Sequence, residues 1–239
     1  MIRNVKALTQ RELVATFYSP VAYIVAAVFL VASGYLFMDK TLVVGSEASI
    51  RGMLHSMAWV LVFAVPLLTM RALADEYASG TIESLMTAPV SDVEVVLGKF
   101  FGVLVFYAAL LATTLMHVVV LFRYGEGDPA VVAFGYVGML LLGALYVAVG
   151  LFASALTRYQ LVAAMIGAGL LSVFTIIVDS LAIWQGGVWR TVLGYINILY
   201  QFEDFAKGIF DTKGLVFFVS GTLFFLFLTV KVVESRRWR

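Results

Sequence analysis

The chain has 239 residues, of which 62% are hydrophobic and only 13% are charged, and its formal net charge is +1. Soluble domains carry roughly twice that share of charged residues, about 25%, so the composition excludes an ordinary soluble domain. The chain has no cysteine, which excludes both a disulfide framework and a thiolate metal site. No nucleic-acid partner is expected.

The apolar residues form six runs of about 20 residues, each long enough as a helix to cross about 30 Å of hydrocarbon. The strands of a membrane barrel would be half as long and would alternate, which these runs do not. The sequence therefore predicts an all-α polytopic membrane protein, with residues 1–239 forming one transmembrane domain. The predicted spans are Val21–Met38, Leu54–Met70, Phe100–Phe122, Val131–Leu156, Leu161–Ser180 and Leu215–Val233.

Residues 1–19, ahead of the first span, contain a predicted amphipathic helix over Ile2–Tyr18 that lies on the membrane surface. Apolar side chains form one side of it, and basic side chains such as Arg11 are placed to meet anionic headgroups. A frayed tail is the alternative. Ser19-Pro20 should end this helix and begin the first span.

The distribution of basic residues indicates the topology. If both termini lie inside the cell, ten of the 16 Lys and Arg residues fall on the cytoplasmic side and six on the outer side. The positive-inside rule therefore favours cytoplasmic N and C termini, and an even number of spans agrees with both ends lying on one side.

The only long polar interruption between two spans is the segment 72–99. The helix of the second span is expected to continue past Arg71 as far as Gly80, which can adopt the left-handed conformation that ends helices. Thr81 can then cap a short helix. In that helix Ile82, Leu85 and Met86 share one apolar face.

The short helix should end before Pro89, because proline has no backbone donor and disfavours helical geometry in the residue before it. Ser91 and Glu94 have the spacing of a capping box, so a third helix is expected to start there. It runs on through Gly98 and Lys99 into the third span, where Gly98 and Gly102 form a small-xxx-small pattern that lets helices approach closely.

These residues resemble the loop between the second and third spans in permease subunits of type-2 ABC transporters. The matching positions are Glu76, Ser79-Gly80-Thr81-Ile82-Glu83, Leu85, Ala88-Pro89-Val90-Ser91 and Leu97-Gly98-Lys99-Phe100. In that family the helix after the Gly-Thr pair is the coupling helix, which fits a groove on a separate ATP-binding subunit.

The resemblance implies a role for each matching residue. The residues expected to touch the ATPase are Thr81, Ile82, Glu83, Leu85 and Met86. The residues expected to set the geometry of the loop are Glu76, Gly80, Pro89, Gly98 and Lys99. The alternative is a polar loop with well-formed helix caps and no docking role.

The resemblance also implies the function of the whole chain: the membrane subunit of an ATP-driven transporter in a bacterial plasma membrane, with export as the expected direction. The chain contains no G-x-x-x-x-G-K-[ST] motif, so ATP and Mg²⁺ are expected in the partner ATPase, and the chain itself is not expected to be an enzyme or to hold a cofactor or metal. Six spans would supply half of a pathway, so a dimer with a second copy or a related permease is expected.

A narrower resemblance concerns the branch of the family. Glu12-Leu13, Tyr18-Ser19-Pro20 and Ser33-Gly34-Tyr35 resemble the branch associated with gliding motility and with maturation of nitrous oxide reductase. The substrate is not indicated by any polar cluster in the sequence.

Two other classes of function stay open at this point. A secondary carrier or channel would need polar groups near mid-membrane or inverted repeats, and neither is evident. A membrane scaffold would use the same loop to recruit a partner without transport.

Three isolated polar sites could suggest other chemistry. His117 could titrate or bind a metal, but a hydrogen bond to a neighbouring helix is the interpretation we favour. Asp179 lies at the outer end of a span and is interpreted as an interfacial residue, not a proton carrier. Glu203 and Asp204 point to different sides of a helix and have no nucleophile or metal partner nearby.

The longest outer segment, residues 181–214, is rich in aromatic residues. Such residues are typical of the membrane interface, so the segment is predicted to form a re-entrant or interfacial helical hairpin.

Overall fold

The computed structural model describes residues 2–42, 49–81, 90–125, 127–178, 180–181 and 193–237. Across these ranges the regular structure is entirely helical, without a β-strand. The helices are α1 (Ile2–Phe17), α2 (Pro20–Thr41), α3 (Arg51–Thr69), α4 (Ala74–Ser79), α5 (Asp92–Thr113), α6 (Leu115–Tyr124), α7 (Pro129–Leu156), α8 (Gln160–Ser172), α9 (Ile198–Ala206) and α10 (Thr212–Arg237). A π-helical turn, Val173–Ile177, continues α8.

Six helical stretches of this structure are long and apolar enough to cross a membrane, which confirms the predicted all-α polytopic fold. They are Pro20–Lys40, Arg51–Ser79, Asp92–Tyr124, Pro129–Leu156, Gln160–Ile177 and Thr212–Arg236. We number them spans one to six.

Local signals explain several of the helix boundaries. Ser19 is extended at the N-cap of α2 and Pro20 occupies the first turn, as predicted. Asp128 caps α7 by accepting from the backbone N–H of Ala130. A three-residue turn joins α7 to α8, so spans four and five form a tight hairpin.

Two of the predicted helices are broken, which corrects the sequence interpretation. The helix of span two does not run unbroken to Gly80; its regular hydrogen-bond ladder is interrupted over residues 70–73 and resumes in α4. Span three breaks at Thr114, whose hydroxyl donates to the backbone oxygen of Leu111 at 2.6 Å. Such bonds from threonine back to its own helix compete with the regular ladder and bend helices.

Span four is the centre of the bundle. In the most apolar stretch of span four, 72% is buried inside the protein, and in that of span two 67% is buried. In the corresponding stretches of the other four spans, only 22–39% is buried. Glycines along α7 make this possible by leaving room for large neighbouring side chains. A Cβ at Gly143 would meet the ring of Tyr107, and one at Gly150 would meet the side chain of Thr69.

The N-terminal helix α1 packs along the first turns of α5. Gly98 and Gly102 of α5 lie against Leu8 and Glu12 of α1, and a Cβ at Gly98 would lie 2.4 Å from that of Leu8. Farther along, Phe17 contacts Phe106 edge to face, with ring centroids 5.0 Å apart. The predicted close approach at the two glycines is therefore present, and its partner is α1.

The part of the 181–214 segment that the structure describes includes α9, which is largely buried. Phe202 and Phe205 are fully buried, and Phe205 packs on Gly138 of α7. Asn197 caps α9 by accepting from the N–H groups of Leu199 and Tyr200, and its amide donates to the Thr175 oxygen in the π-helical turn. Side chains of α9 thus pack between spans, and residues 182–192 of the predicted hairpin lie outside the described ranges.

Both ends of the described chain lie at the same end of the bundle as α4. Glu12 of α1 meets Lys99 and, through it, Glu76 of α4, while Arg236 near the end of α10 lies over the ring of Tyr77. We call this end, where Ser19, Arg71, Lys99 and Gln160 also lie, the polar end.

Candidate functional site

The candidate site is the segment from Met70 to Thr81, which leads from span two into the predicted coupling helix. It contains a break in span two, the short helix α4 and a glycine that ends α4. Side chains from the rest of the protein converge on it.

The break in span two is bridged by one side chain of span four. The hydroxyl of Ser154 accepts hydrogen bonds from the backbone N–H groups of Leu73 and Ala74, at 3.1 and 3.0 Å, and donates to the backbone oxygen of Met70 at 3.0 Å. In an unbroken helix those two N–H groups would bond to carbonyl oxygens four residues earlier. Ser154 is fully buried, so its hydroxyl replaces helical bonds that water cannot supply there.

The side chain of Lys99 joins three helices at the polar end. Its ammonium lies 3.0 Å from an oxygen of Glu12 on α1 and 2.9 Å from an oxygen of Glu76 on α4. Lys99 is only 5% exposed, and a buried cation requires such partners. Arg11 approaches Glu76 to 4.0 Å, so two cations balance the two carboxylates.

A second chain of polar contacts crosses the same segment. Arg71 donates to the hydroxyl of Ser19 at 2.9 Å and to Asp75 at 3.3 Å. The other oxygen of Asp75 accepts from the amide of Gln160, at 2.7 Å. These bonds connect the start of span one, the end of span two and the start of span five.

The end of span six also contacts α4. The guanidinium carbon of Arg236 lies 4.4 Å from the centroid of the Tyr77 ring, within the range of a cation–π contact. The same guanidinium donates to the backbone oxygen of Leu156, the last residue of α7, at 2.6 Å.

Together these contacts connect the segment 70–79 to α1 and to each of the other five spans. Its partners are Arg11 on α1, Ser19 at span one, Lys99 on span three, Ser154 on span four, Gln160 on span five and Arg236 on span six. A displacement of the segment 70–79 would therefore disturb a contact with each of the other spans.

The exit from α4 has the predicted geometry. Gly80 has φ of +72°, the left-handed conformation that glycine adopts without steric cost. Thr81 is exposed, and its hydroxyl lies 2.9 Å from that of Ser79. Ser91 and Glu94 form the predicted capping box at the start of α5.

The four remaining docking residues predicted from the sequence, and one of the residues predicted to set the loop geometry, fall outside the described ranges. The docking residues are Ile82, Glu83, Leu85 and Met86, and the geometry residue is Pro89. Of the five residues predicted to set the loop geometry, Glu76 and Lys99 are in direct contact, Gly80 ends α4, and Gly98 contacts α1.

Several residues of this site were not assigned to it by sequence reasoning. In the sequence, Ser154 is one more small residue in an apolar span, and Gln160 follows a short turn. Arg71 enters the sequence analysis only as one of the positive charges on the cytoplasmic side. A usable signal was present at Lys99, because a lysine at the start of an apolar span needs an acidic partner.

Two of the isolated polar residues, His117 and Glu203, make local contacts in the described part of the chain. His117 Nδ1 donates to the backbone oxygen of Thr114, at the start of its own helix, at 3.0 Å, and its ring packs against Phe37 of span one. Among the described residues, the one side-chain hydrogen bond of His117 is therefore within its own helix. Glu203 pairs with Lys207 at 2.7 Å. Asp179 lies outside the described residues. Among those described, no group of three or more His, Cys, Asp or Glu side chains could hold a metal.

Comparison with known protein families gives a match over most of the chain. The family model described as "ABC-2 family transporter protein" matches residues 3–188, which is more than three quarters of the 239 residues. A search of curated proteins finds no match.

Proposed function

The chain belongs to the ABC-2 family of transporter membrane proteins, and from this we propose that it transmits ATP-driven motion from a separate ATPase to a transport pathway. Members of this family are the membrane components of ABC transporters and are not themselves catalytic. The family thus implies an ATP-binding partner. The coupling to ATP, the direction of transport and the residues involved are the content of the proposal.

The observation that carries the proposal is the set of contacts around α4. The segment that precedes the proposed coupling helix contacts α1 and all the other spans, through the side chains of Glu76, Arg71, Asp75 and Tyr77 and the backbone N–H groups at the Ser154 break. A segment that only recruited a partner would not need contacts to every span.

The proposed mechanism begins at the partner. ATP and Mg²⁺ bind the ATPase subunits and close their dimer, and the coupling helix, Thr81–Met86, follows this movement. Because α4 follows the break at residues 70–73, it can change its angle to α3 while the Lys99 contacts carry the motion to α1 and α5. Rigid-body movement of packed helices is a common form of such a transition.

The proposed assembly contains two such membrane subunits, either two copies of this chain or one with a related permease. The polar end faces the cytoplasm, so both termini are cytoplasmic, and the membrane is the bacterial plasma membrane. Export is the proposed direction. The motifs that resemble the gliding-motility and nitrous-oxide-reductase-maturation branch support placing the chain there.

The test uses the absence of cysteine from the chain, which lets two engineered cysteines be spin-labelled uniquely. Val14→Cys on α1 and Tyr159→Cys in the turn between spans four and five are both exposed. In the reconstituted complex with its ATPase, trapping ATP should change the distance between the labels.

Two further variants make the result specific. Gly80→Pro cannot adopt the φ of +72° and should abolish the distance change, because proline fixes φ near −65°. Leu85→Asp should do the same by weakening docking. A distance that does not respond to ATP in the wild-type background, or that responds equally in both variants, would contradict the proposal.

A further inference from the structure

A cleft of about 290 Å³ opens at the polar end, between α1 and the adjoining ends of spans one and two. One wall is apolar and includes Val21 and Ala22 at the start of α2 and Leu67 and Leu68 near the end of α3. The other wall is charged. The cleft therefore changes from apolar to charged where the apolar spans end, as a membrane interface does.

The charges around the cleft are balanced. Three cations, Arg11, Arg71 and Lys99, face three carboxylates, those of Glu12, Asp75 and Glu76. Such a lining has no overall preference for anions or for cations. It suits a ligand that carries both charges.

The cationic side has unused capacity. Arg11 is 63% exposed and has one weak contact, to Glu76 at 4.0 Å. Arg71 uses two of its nitrogens, on Ser19 and Asp75, and an arginine has five N–H donors. A phosphate could therefore be bound by both guanidinium groups without breaking an existing bond.

The acidic side also has unused capacity. Glu12 and Glu76 each give one oxygen to Lys99, and the second oxygen of Glu76 is buried without a hydrogen-bond partner in the described structure. Buried carboxylate oxygens are rarely left in this state. Rotation about the last, soft torsion of the glutamate would turn this oxygen toward the cleft and move the other oxygen away from Lys99, which keeps its bond to Glu12. A primary ammonium, with three N–H donors, would satisfy it.

We propose that this cleft binds a zwitterionic phospholipid with a primary amine, of the phosphatidylethanolamine class, with its phosphate at Arg11 and Arg71 and its ammonium at Glu12 and Glu76. The apolar wall and the exposed side chain of Leu67 provide a path for an acyl chain into the bilayer. This site does not depend on an ATPase partner, so it can be tested on the purified chain.

Headgroup selectivity is the first test. The detergent-purified protein is mixed with equal amounts of dioleoyl phosphatidylethanolamine, phosphatidylcholine and phosphatidylglycerol, and retained lipids are counted by native mass spectrometry. Phosphatidylethanolamine should be retained about three- to fivefold over phosphatidylcholine, because the quaternary ammonium of phosphatidylcholine cannot donate hydrogen bonds. This ratio is the effect expected from one exposed charged contact. Equal retention, or a preference for phosphatidylglycerol, would overturn the proposal.

Matched variants on α1 locate the site. Ala15→Trp fills the cleft and should abolish the preference, while Ala7→Trp, on an exposed position of the same helix away from the cleft, should not. Arg11→Ala should reduce retention about threefold and Lys6→Ala should not. A preference that survives Ala15→Trp would place the lipid elsewhere and refute the site.

A soluble competitor distinguishes a lipid from a free headgroup. Phosphoethanolamine carries the same charges without acyl chains, and it should fail to displace the retained lipid because the apolar wall adds affinity only for the lipid. If phosphoethanolamine displaced the lipid at a concentration equal to that of the lipid, the cleft would recognise the headgroup alone. That result would contradict the lipid assignment.

Discussion

Replacing Ser154 by alanine tests the role of the break between α3 and α4. The hydroxyl holds three backbone groups, the N–H groups of Leu73 and Ala74 and the oxygen of Met70. Leu73 and Ala74 are fully buried, so both N–H groups would lose their only acceptor without gaining water. A buried donor left unsatisfied costs about 1–3 kcal/mol, so the expected loss is about 2–6 kcal/mol for the pair.

Thermal unfolding in detergent measures this loss. For a chain of this size, each kcal/mol corresponds to roughly 2–4 °C, so Ser154→Ala should lower the unfolding midpoint by roughly 4–24 °C. The matched control is Ser220→Ala on span six, whose exposed hydroxyl donates only to the Phe217 oxygen of its own helix. Its midpoint should change by less than about 2 °C.

The same variant should also impair coupling, because the break no longer has a fixed geometry. In the complex with the ATPase, the ATP-dependent change in distance between labels at positions 14 and 159 should be lost or broadened. A midpoint and a distance change that both equal those of the wild type would refute the inference that Ser154 holds α4 in place.

Three further changes test other parts of the structure. Lys99→Met removes the cation that the two carboxylates share and leaves only Arg11, 4.0 Å from Glu76, near them. It should destabilise the fold by about 3 kcal/mol in the same assay, the lower end for buried pairs, because the carboxylates keep 15–16% exposure. Stability equal to wild type would contradict this. Gly98→Ala places a Cβ 2.4 Å from that of Leu8, so it should displace α1 and make it more accessible to trypsin. The control Gly169→Ala places a Cβ with nothing within 4 Å and should not. Equal digestion of the two variants would show that the packing of α1 does not need this contact. Asn197→Ala removes the cap of α9 and should cost about 1–2 kcal/mol, and an unchanged midpoint would count against the capping role.

Features that depend on a few neighbouring residues were predictable from the sequence. The six spans follow from apolar run length, and the N-cap at Ser19, the left-handed Gly80 and the capping box at Ser91 follow from local chemistry. These signals act over one or two helical turns, within which sequence and structure are tightly linked.

Features that depend on distant residues were not predictable in the same way. The break in span two depends on Ser154, about 80 residues later, and serine is common in membrane helices. The partner of Gly98 is α1, which the sequence places on the membrane surface without indicating which span it meets. When the contact with Ser154 is not known, helical propensity favours an unbroken helix through span two.

The coupling helix itself stays a prediction, because residues 82–89 lie outside the described ranges. What the structure adds is the segment that precedes it, from the break at residue 70 to Gly80. The resemblance identifies the docking residues, and the contacts of α4 indicate how their movement would reach the spans.

Co-purification with ATP-binding proteins encoded beside this chain tests the central claim most directly. The comparison is between wild type, Leu85→Asp in the proposed docking face, and Leu42→Asp, an exposed leucine after span one at the opposite end of the bundle. An ATPase that co-purifies with wild type and Leu42→Asp but is lost with Leu85→Asp is the predicted result. Failure of any ATPase to associate with folded wild-type protein, or equal recovery with Leu85→Asp, would contradict the claim that this loop couples the membrane subunit to its ATPase.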